Sequence, residues 1–110
     1  MSDKAPRMTQ PTQMVLRTLI AEPLRELHGI GFCEATGLAS GTVYPILARL
    51  EELGWLESRW EEPAVHVDEK RPRRRYYRLT EDGAVRAQVA LDSAGYRRRR
   101  PSGQPRTAGA

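Results

Sequence analysis

Apolar residues recur along the chain at two spacings, and these spacings set out its elements. Val15, Leu16, Leu19 and Ile20 fall at helical intervals after Pro11, a residue favoured in a first turn. Pro23 closes that helix, because proline disfavours helical backbone in the residue before it. A shorter helix is predicted from His28 to Thr36; Gly29 and Gly31 weaken its start, and Gly37 stands where a left-handed C-cap belongs. The clearest helix runs from Gly41 to Leu53. Val43, Ile46, Leu47, Leu50 and Leu53 make its apolar face, and Thr42, Tyr44, Arg49 and Glu52 lie opposite. Ser40 is its expected N-cap and Gly54 its stop, while Pro45 is close enough to the N-terminus to be tolerated. The period then changes to two. Leu56, Ser58 and Trp60 alternate with Glu57, Arg59 and Glu61, and over Arg75–Leu79 the pair Tyr77 and Leu79 alternates with Tyr76 and Arg78. Pro63–Arg74, between these two strands, is too long for a tight hairpin turn. Thr80 caps a last helix, Glu81–Ala94, with Glu81 and Asp82 at the positive end of its dipole and Gly95 as the expected stop.

The order helix, helix, helix, strand, basic loop, strand, helix predicts a mainly α protein with a small β-ribbon. That is a winged helix-turn-helix: a three-helix core, a two-stranded wing and a C-terminal helix. Residues 1–10 are expected to form a flexible N-terminus and residues 11–95 the single folded domain. Within that domain, 81–94 is the expected dimerisation helix. Ala84, Ala87 and Leu91 form one row and Val85, Val89 and Ala90 another, more apolar surface than one small domain needs to cover. Residues 96–110, rich in Arg, Pro, Ser and Gly, are expected to be a disordered basic tail.

Composition narrows the function. A hydrophobic share of 39% supports a modest core, yet no apolar stretch approaches the ~18 residues of a membrane span. Even the apolar cluster Met14–Ala21 is interrupted by Arg17 and Thr18. With nothing resembling a secretory signal, a cytoplasmic protein is expected. The single Cys33 excludes an internal disulfide, and Cys33, His28 and His66 show no ligand spacing, so neither metal nor cofactor is expected. There is no phosphate-cradling glycine loop, no nucleophile motif and no set-apart carboxylate pair (Glu51 and Glu52 are ordinary helix surface), so no catalytic residues and no enzyme are expected. The net charge is +4, and its distribution says more than its size. Lys70–Arg78 holds six basic residues and no acidic one, and Arg97–Arg100 is an unbroken basic run. Such clusters point to a polyanion.

A helix with one face fixed to its domain and one polar face can lie in a DNA major groove. On Gly41–Leu53, Ser40, Thr42 and Tyr44 bring hydroxyls to the helix N-terminus, which suits a phosphate; Arg49 reaches either a phosphate or a guanine edge. Lys70, Arg71, Arg73, Arg74 and Arg75, held out on the ribbon, are the second set of candidate DNA contacts. The Arg97–Arg100 run either adds non-specific affinity or is simply a soluble end. Trp55 and Trp60 are expected to pack, Cys33 to act as a small apolar residue, His28 to make a local hydrogen bond, and Tyr77 and Leu79 to join the core. Double-stranded DNA is the expected partner. The rival is a protein-interaction module of the transcription machinery; the narrow major groove of duplex RNA disfavours RNA.

The stretch Ser40-Gly41-Thr42-Val43-Tyr44-Pro45-Ile46-Leu47-Ala48-Arg49-Leu50-Glu51 resembles the recognition helix of the PadR family of transcriptional regulators, with the opening motif compacted to Ser40-Gly41-Thr42. Lys70-Arg71-Pro72-Arg73-Arg74-Arg75-Tyr76-Tyr77-Arg78-Leu79-Thr80-Glu81-Asp82-Gly83 is similar to that family's wing, and His28-Gly29 to the entry of its second helix. The likeness extends over roughly Gln13 to Ala94. It implies a dimeric repressor on a palindromic operator, often released by a small-molecule effector. Ser40, Thr42, Tyr44 and Arg49 would then contact DNA from the helix, and Arg71, Arg73 and Arg74 from the wing. Members usually dimerise through a C-terminal helical region. Here the last helix is short, so it is expected to share the interface with the first.

Overall fold

The computed structural model describes residues 5–63 and 69–99. The expectations for residues 1–4, for loop residues 64–68 with His66, and for 100–110 fall outside the described residues. The elements are α1 (Gln10–Ala21), β1 (Leu27–His28), α2 (Gly29–Thr36), α3 (Ser40–Glu52), β2 (Leu56–Trp60), β3 (Arg75–Leu79) and α4 (Glu81–Arg99). They make a winged helix-turn-helix, mainly α with a small antiparallel sheet.

In α1, Thr9 is the N-cap and accepts a hydrogen bond from the Thr12 amide, and Val15, Leu16 and Leu19 are buried. They meet Phe32 of α2, Val43, Leu47 and Leu50 of α3, and Trp55, Leu56, Tyr77 and Leu79 around the sheet in one core. The apolar periods therefore face where they were expected to face. Gly37 takes φ 77° as the left-handed C-cap of α2, its amide bonded to the Cys33 carbonyl at 2.8 Å. Cys33 is half-buried against the core, as expected for a small apolar residue.

Four expectations are corrected. The sheet has three strands, in the order β1-β3-β2, because Leu27 and His28 pair with Tyr77 and Tyr76. His28 is thus strand rather than helix, and α2 starts at Gly29. The N-cap of α3 is Ala39, not Ser40: Ala39 is extended (φ −74°, ψ 153°), and its carbonyl accepts from both Thr42 and Val43. Gly95 does not end the last helix, which continues to Arg99. Among the described residues only Gly37, Gly54 and Lys70 have positive φ, so Gly95 forms no left-handed cap; an interior glycine costs only about 1 kcal/mol against alanine. Of the two tryptophans, Trp55 is core at 3%, at the helix-strand corner, while Trp60 lies on the ribbon at 49% exposed with Arg73 and Arg75 over its ring.

The junction from β3 into α4 explains a glycine. Thr80 donates through its hydroxyl to the Gly54 carbonyl (2.9 Å) and through its amide to the Trp55 carbonyl (3.0 Å), and its Oγ1 caps the Gly83 amide at 2.8 Å. That draws the first turn of α4 onto the Trp55 backbone. A Cβ on Gly83 would overlap the Trp55 carbonyl.

Candidate nucleic-acid interface

Helix α3 is fastened by Val43, Leu47 and Leu50, which leaves Ser40, Gly41, Tyr44, Pro45, Ala48 and Arg49 facing outward. No side chain caps its N-terminus; the Ala39 carbonyl takes the Thr42 and Val43 amides, which leaves those of Ser40 and Gly41 beside the Ser40 hydroxyl. Thr42 is half-buried. Tyr44 is 44% exposed and lies along Gly29, where any Cβ would overlap its ring. Arg49 forms an exposed i,i+3 pair with Glu52 at 3.0 Å. A pair of this kind is weak, so the guanidinium can exchange it for another anion.

β2 and β3 pair in register from Leu56↔Leu79 to Trp60↔Arg75 and carry the wing. One rung follows beyond the strands, where the Glu61 amide donates to the Arg74 carbonyl at 2.8 Å. The five basic candidates of the wing differ in what already holds them. Lys70 is exposed at φ 52°. The Arg71 side chain is only 18% exposed and reaches Glu61 with two nitrogens, at 2.7 and 2.6 Å, and Glu69 at 2.8 Å. Arg73 donates to the Glu61 carbonyl at 2.7 Å and covers the Trp60 ring at 5.7 Å. Arg75 covers the same ring at 5.2 Å, donates to Ser58 at 3.0 Å and lies 3.4 Å from Glu51. The half-buried Arg74 stands where the wing faces the start of α2. Trp60 is therefore a stacking platform for two guanidinium groups, a partnership that accounts for its exposure.

Between α3 and the wing opens a cleft of about 560 Å³, lined by Tyr44 of α3, Gly29 and Ile30 of α2, and Trp60, Arg73 and Arg74 of the wing. Of the candidates, the cleft brings together Tyr44 of the helix and Arg71, Arg73, Arg74 and Arg75 of the ribbon; Ser40, Thr42, Arg49 and Lys70 do not line it, and Arg49 borders a separate groove with Pro6, Arg7 and Pro45. The cleft is electropositive. Burial, and then the charge of Arg74, push His28 below the usual histidine value of 6.5. His28 meets Tyr76 edge-on at 5.7 Å, and Arg59 covers Tyr76 from 5.1 Å. Arg59 also binds Glu26 at 2.7 and 2.8 Å, and that hydrogen bond holds the Glu26 carboxyl below its ordinary value.

The sequence reading overlooked Glu61. Strand alternation placed it outward with Glu57 and Arg59, yet its side chain is 5% exposed. Arg71 foremost, with the Arg74 amide, holds its carboxyl down to about 2, against the opposing effect of burial. The one available signal was a carboxylate at the foot of a run of arginines.

The sequence profile of the PadR-like family of transcriptional regulators matches residues 20–89. A search of curated protein sequences finds no match. Among solved structures, a PadR-like transcription factor from Bacteroides fragilis is similar with TM-score 0.64 and 20% identity, over 81% of this chain and 84% of that one. A transcriptional regulator from Clostridium thermocellum is similar with TM-score 0.63 and 21% identity, over 80% of this chain and 82% of that one. At those identities the likeness concerns the fold. The PcaV transcriptional regulator from Streptomyces coelicolor, solved in complex with its natural ligand, gives TM-score 0.62 and 29% identity over 84% of this chain. This chain spans only 59% of PcaV. The match to the family profile covers well over half the chain, including α2, α3, the wing and the first turns of α4: the chain belongs to the PadR-like family of transcriptional regulators.

Proposed function

We propose that this regulator binds double-stranded DNA as a homodimer, with α3 in the major groove and the wing along the neighbouring phosphates, and represses from a pseudo-palindromic operator. One observation carries the reading: the exposed Tyr44 of α3 and the arginines of the wing line one cleft. Ser40, Thr42, Tyr44 and Arg49 are the helix contacts, with Arg49 as the base-reading candidate. Lys70, Arg73, Arg74 and Arg75 follow the backbone. The family is a regulator family and not an enzyme family, and no described helix is long and apolar enough to cross a membrane. A cytoplasmic location suits this role.

The surface of α4 supports the dimer. Ala87, Leu91 and Ala94 are spent on the core, but Val85 and Val89 remain 64% and 61% exposed. They border a groove of about 570 Å³ against residues 5–8 and Trp55. Release by a small effector is part of the proposal; PcaV, a structural neighbour, was solved with its natural ligand. Selection of bound sequences from a random duplex pool tests the reading. The expected product is a motif with two-fold symmetry. Recovery of no enriched sequence, with binding insensitive to salt, would reject it.

A further inference from the structure

We propose that Glu61 and Arg71 form a latch that positions the wing for DNA, and that Arg71 makes no phosphate contact, although it lies in the most basic stretch of the chain. This rests on the DNA-binding reading above. Residues 71, 73 and 74 are all tied to one residue. Glu61 accepts both terminal nitrogens of Arg71 on its carboxylate, the Arg74 amide on the same carboxylate at 3.2 Å, and Arg73 Nε on its backbone carbonyl. The Glu61 amide returns a bond to the Arg74 carbonyl. Glu69 holds Arg71 Nε on its other side.

Physical need explains the arrangement. The wing packs guanidinium groups together, and the ladder of β2 and β3 stops just before a long loop whose ends must be closed. A carboxylate buried at that point neutralises one cation and adds a further rung to the ribbon. The two-nitrogen fork of arginine matches the two carboxylate oxygens; a lysine ammonium supplies the charge without the fork. A phosphate contact in an open wing would accept either residue. The latch therefore makes Glu61 and Arg71 positioning residues: they set where Arg73, Arg74 and Trp60 stand relative to α3.

Binding of the full chain to a random-sequence duplex, measured over a salt series, separates the roles. Glu61→Gln, Arg71→Gln and Arg71→Lys are each expected to weaken binding by roughly tenfold through loss of preorganisation, with the salt slope retained. Arg74→Gln, by contrast, flattens the slope by about 0.9. An Arg71→Lys variant that binds like wild type, beside an Arg71→Gln variant with a flattened slope, would overturn the proposal and make Arg71 a phosphate contact. Hydrogen exchange reads the latch without DNA. The Arg74 amide should be protected in the wild type and lose protection in Glu61→Ala, while the Tyr77 amide stays protected. An unprotected Arg74 amide in the wild type refutes the latch. A wild type that binds no duplex refutes the DNA reading, and the positioning role with it, whatever the exchange shows.

Discussion

Single side chains decide more of this structure than their size suggests. Gly83 is needed because α4 docks onto the Trp55 backbone, not because its helix wants flexibility. Gly83→Ala improves helix propensity yet overlaps the Trp55 carbonyl, so the net result is expected to be destabilising by about 1–3 kcal/mol. Thermal unfolding would show it as a midpoint lower by several degrees, and a raised midpoint would contradict the docking. Glu61 predicts a pH effect of definite sign. Its carboxyl is lowered from 4.5 to about 2 in the fold, so the pair's contribution is complete above pH 4.5 and is lost as pH falls from there through 2. Glu61→Gln should therefore make the acid limb of a stability profile shallower in that window and leave the difference between variant and wild type constant above it. The family-like motifs already contained Gly29 and Gly83. Their reasons, a tyrosine ring against one and a backbone carbonyl against the other, are tertiary contacts that no local pattern encodes.

At the scale of elements, periodicity was legible wherever an element was long enough to repeat. α1, α3, β2 and β3 follow from apolar spacing, since burial selects one face over several residues. β1 has two residues, too few to show a period, and it exists because Leu27 and His28 lie beside a β3 edge that would otherwise be unpaired. Glu61 escaped because alternation fixes direction only while the ladder is regular, and β2 ends at Trp60. Among the wing candidates, charge was legible and availability was not: which arginine is committed to a carboxylate depends on where the loop folds back. For α3 the expected outcome is specific. Arg49→Ala should weaken binding to a selected site by about 1–3 kcal/mol if the guanidinium reads a base, with little effect on random duplex. Equal losses on both duplexes, measured in one titration series, would assign Arg49 to the phosphates.

At the scale of the whole molecule, α4 gives one face to the core and leaves Val85 and Val89 exposed, the face assigned to the proposed dimer. Val89→Glu puts a charge on the exposed row and leaves Ala87 and Leu91 in place, so it should yield a folded monomer. Sedimentation of both proteins at micromolar concentration checks this; a wild type already monomeric, with full affinity for a single half-site, would remove the dimer. A charge at Leu91, which is 9% exposed, would disrupt the core instead.

β1 has a larger consequence than its two residues suggest. It leads directly into α2 while pairing with β3, and Glu26, just before it, grips Arg59 on β2. The wing strands and the helix-turn-helix are thereby joined through one sheet, a single head in the proposed complex. In the proposed dimer, two such heads on one axis would adjust to DNA mainly by turning about each other. Spacing would then act as a vernier: one base pair inserted between half-sites turns the second by about 35° around the duplex, a turn that the junction between the two heads would have to absorb.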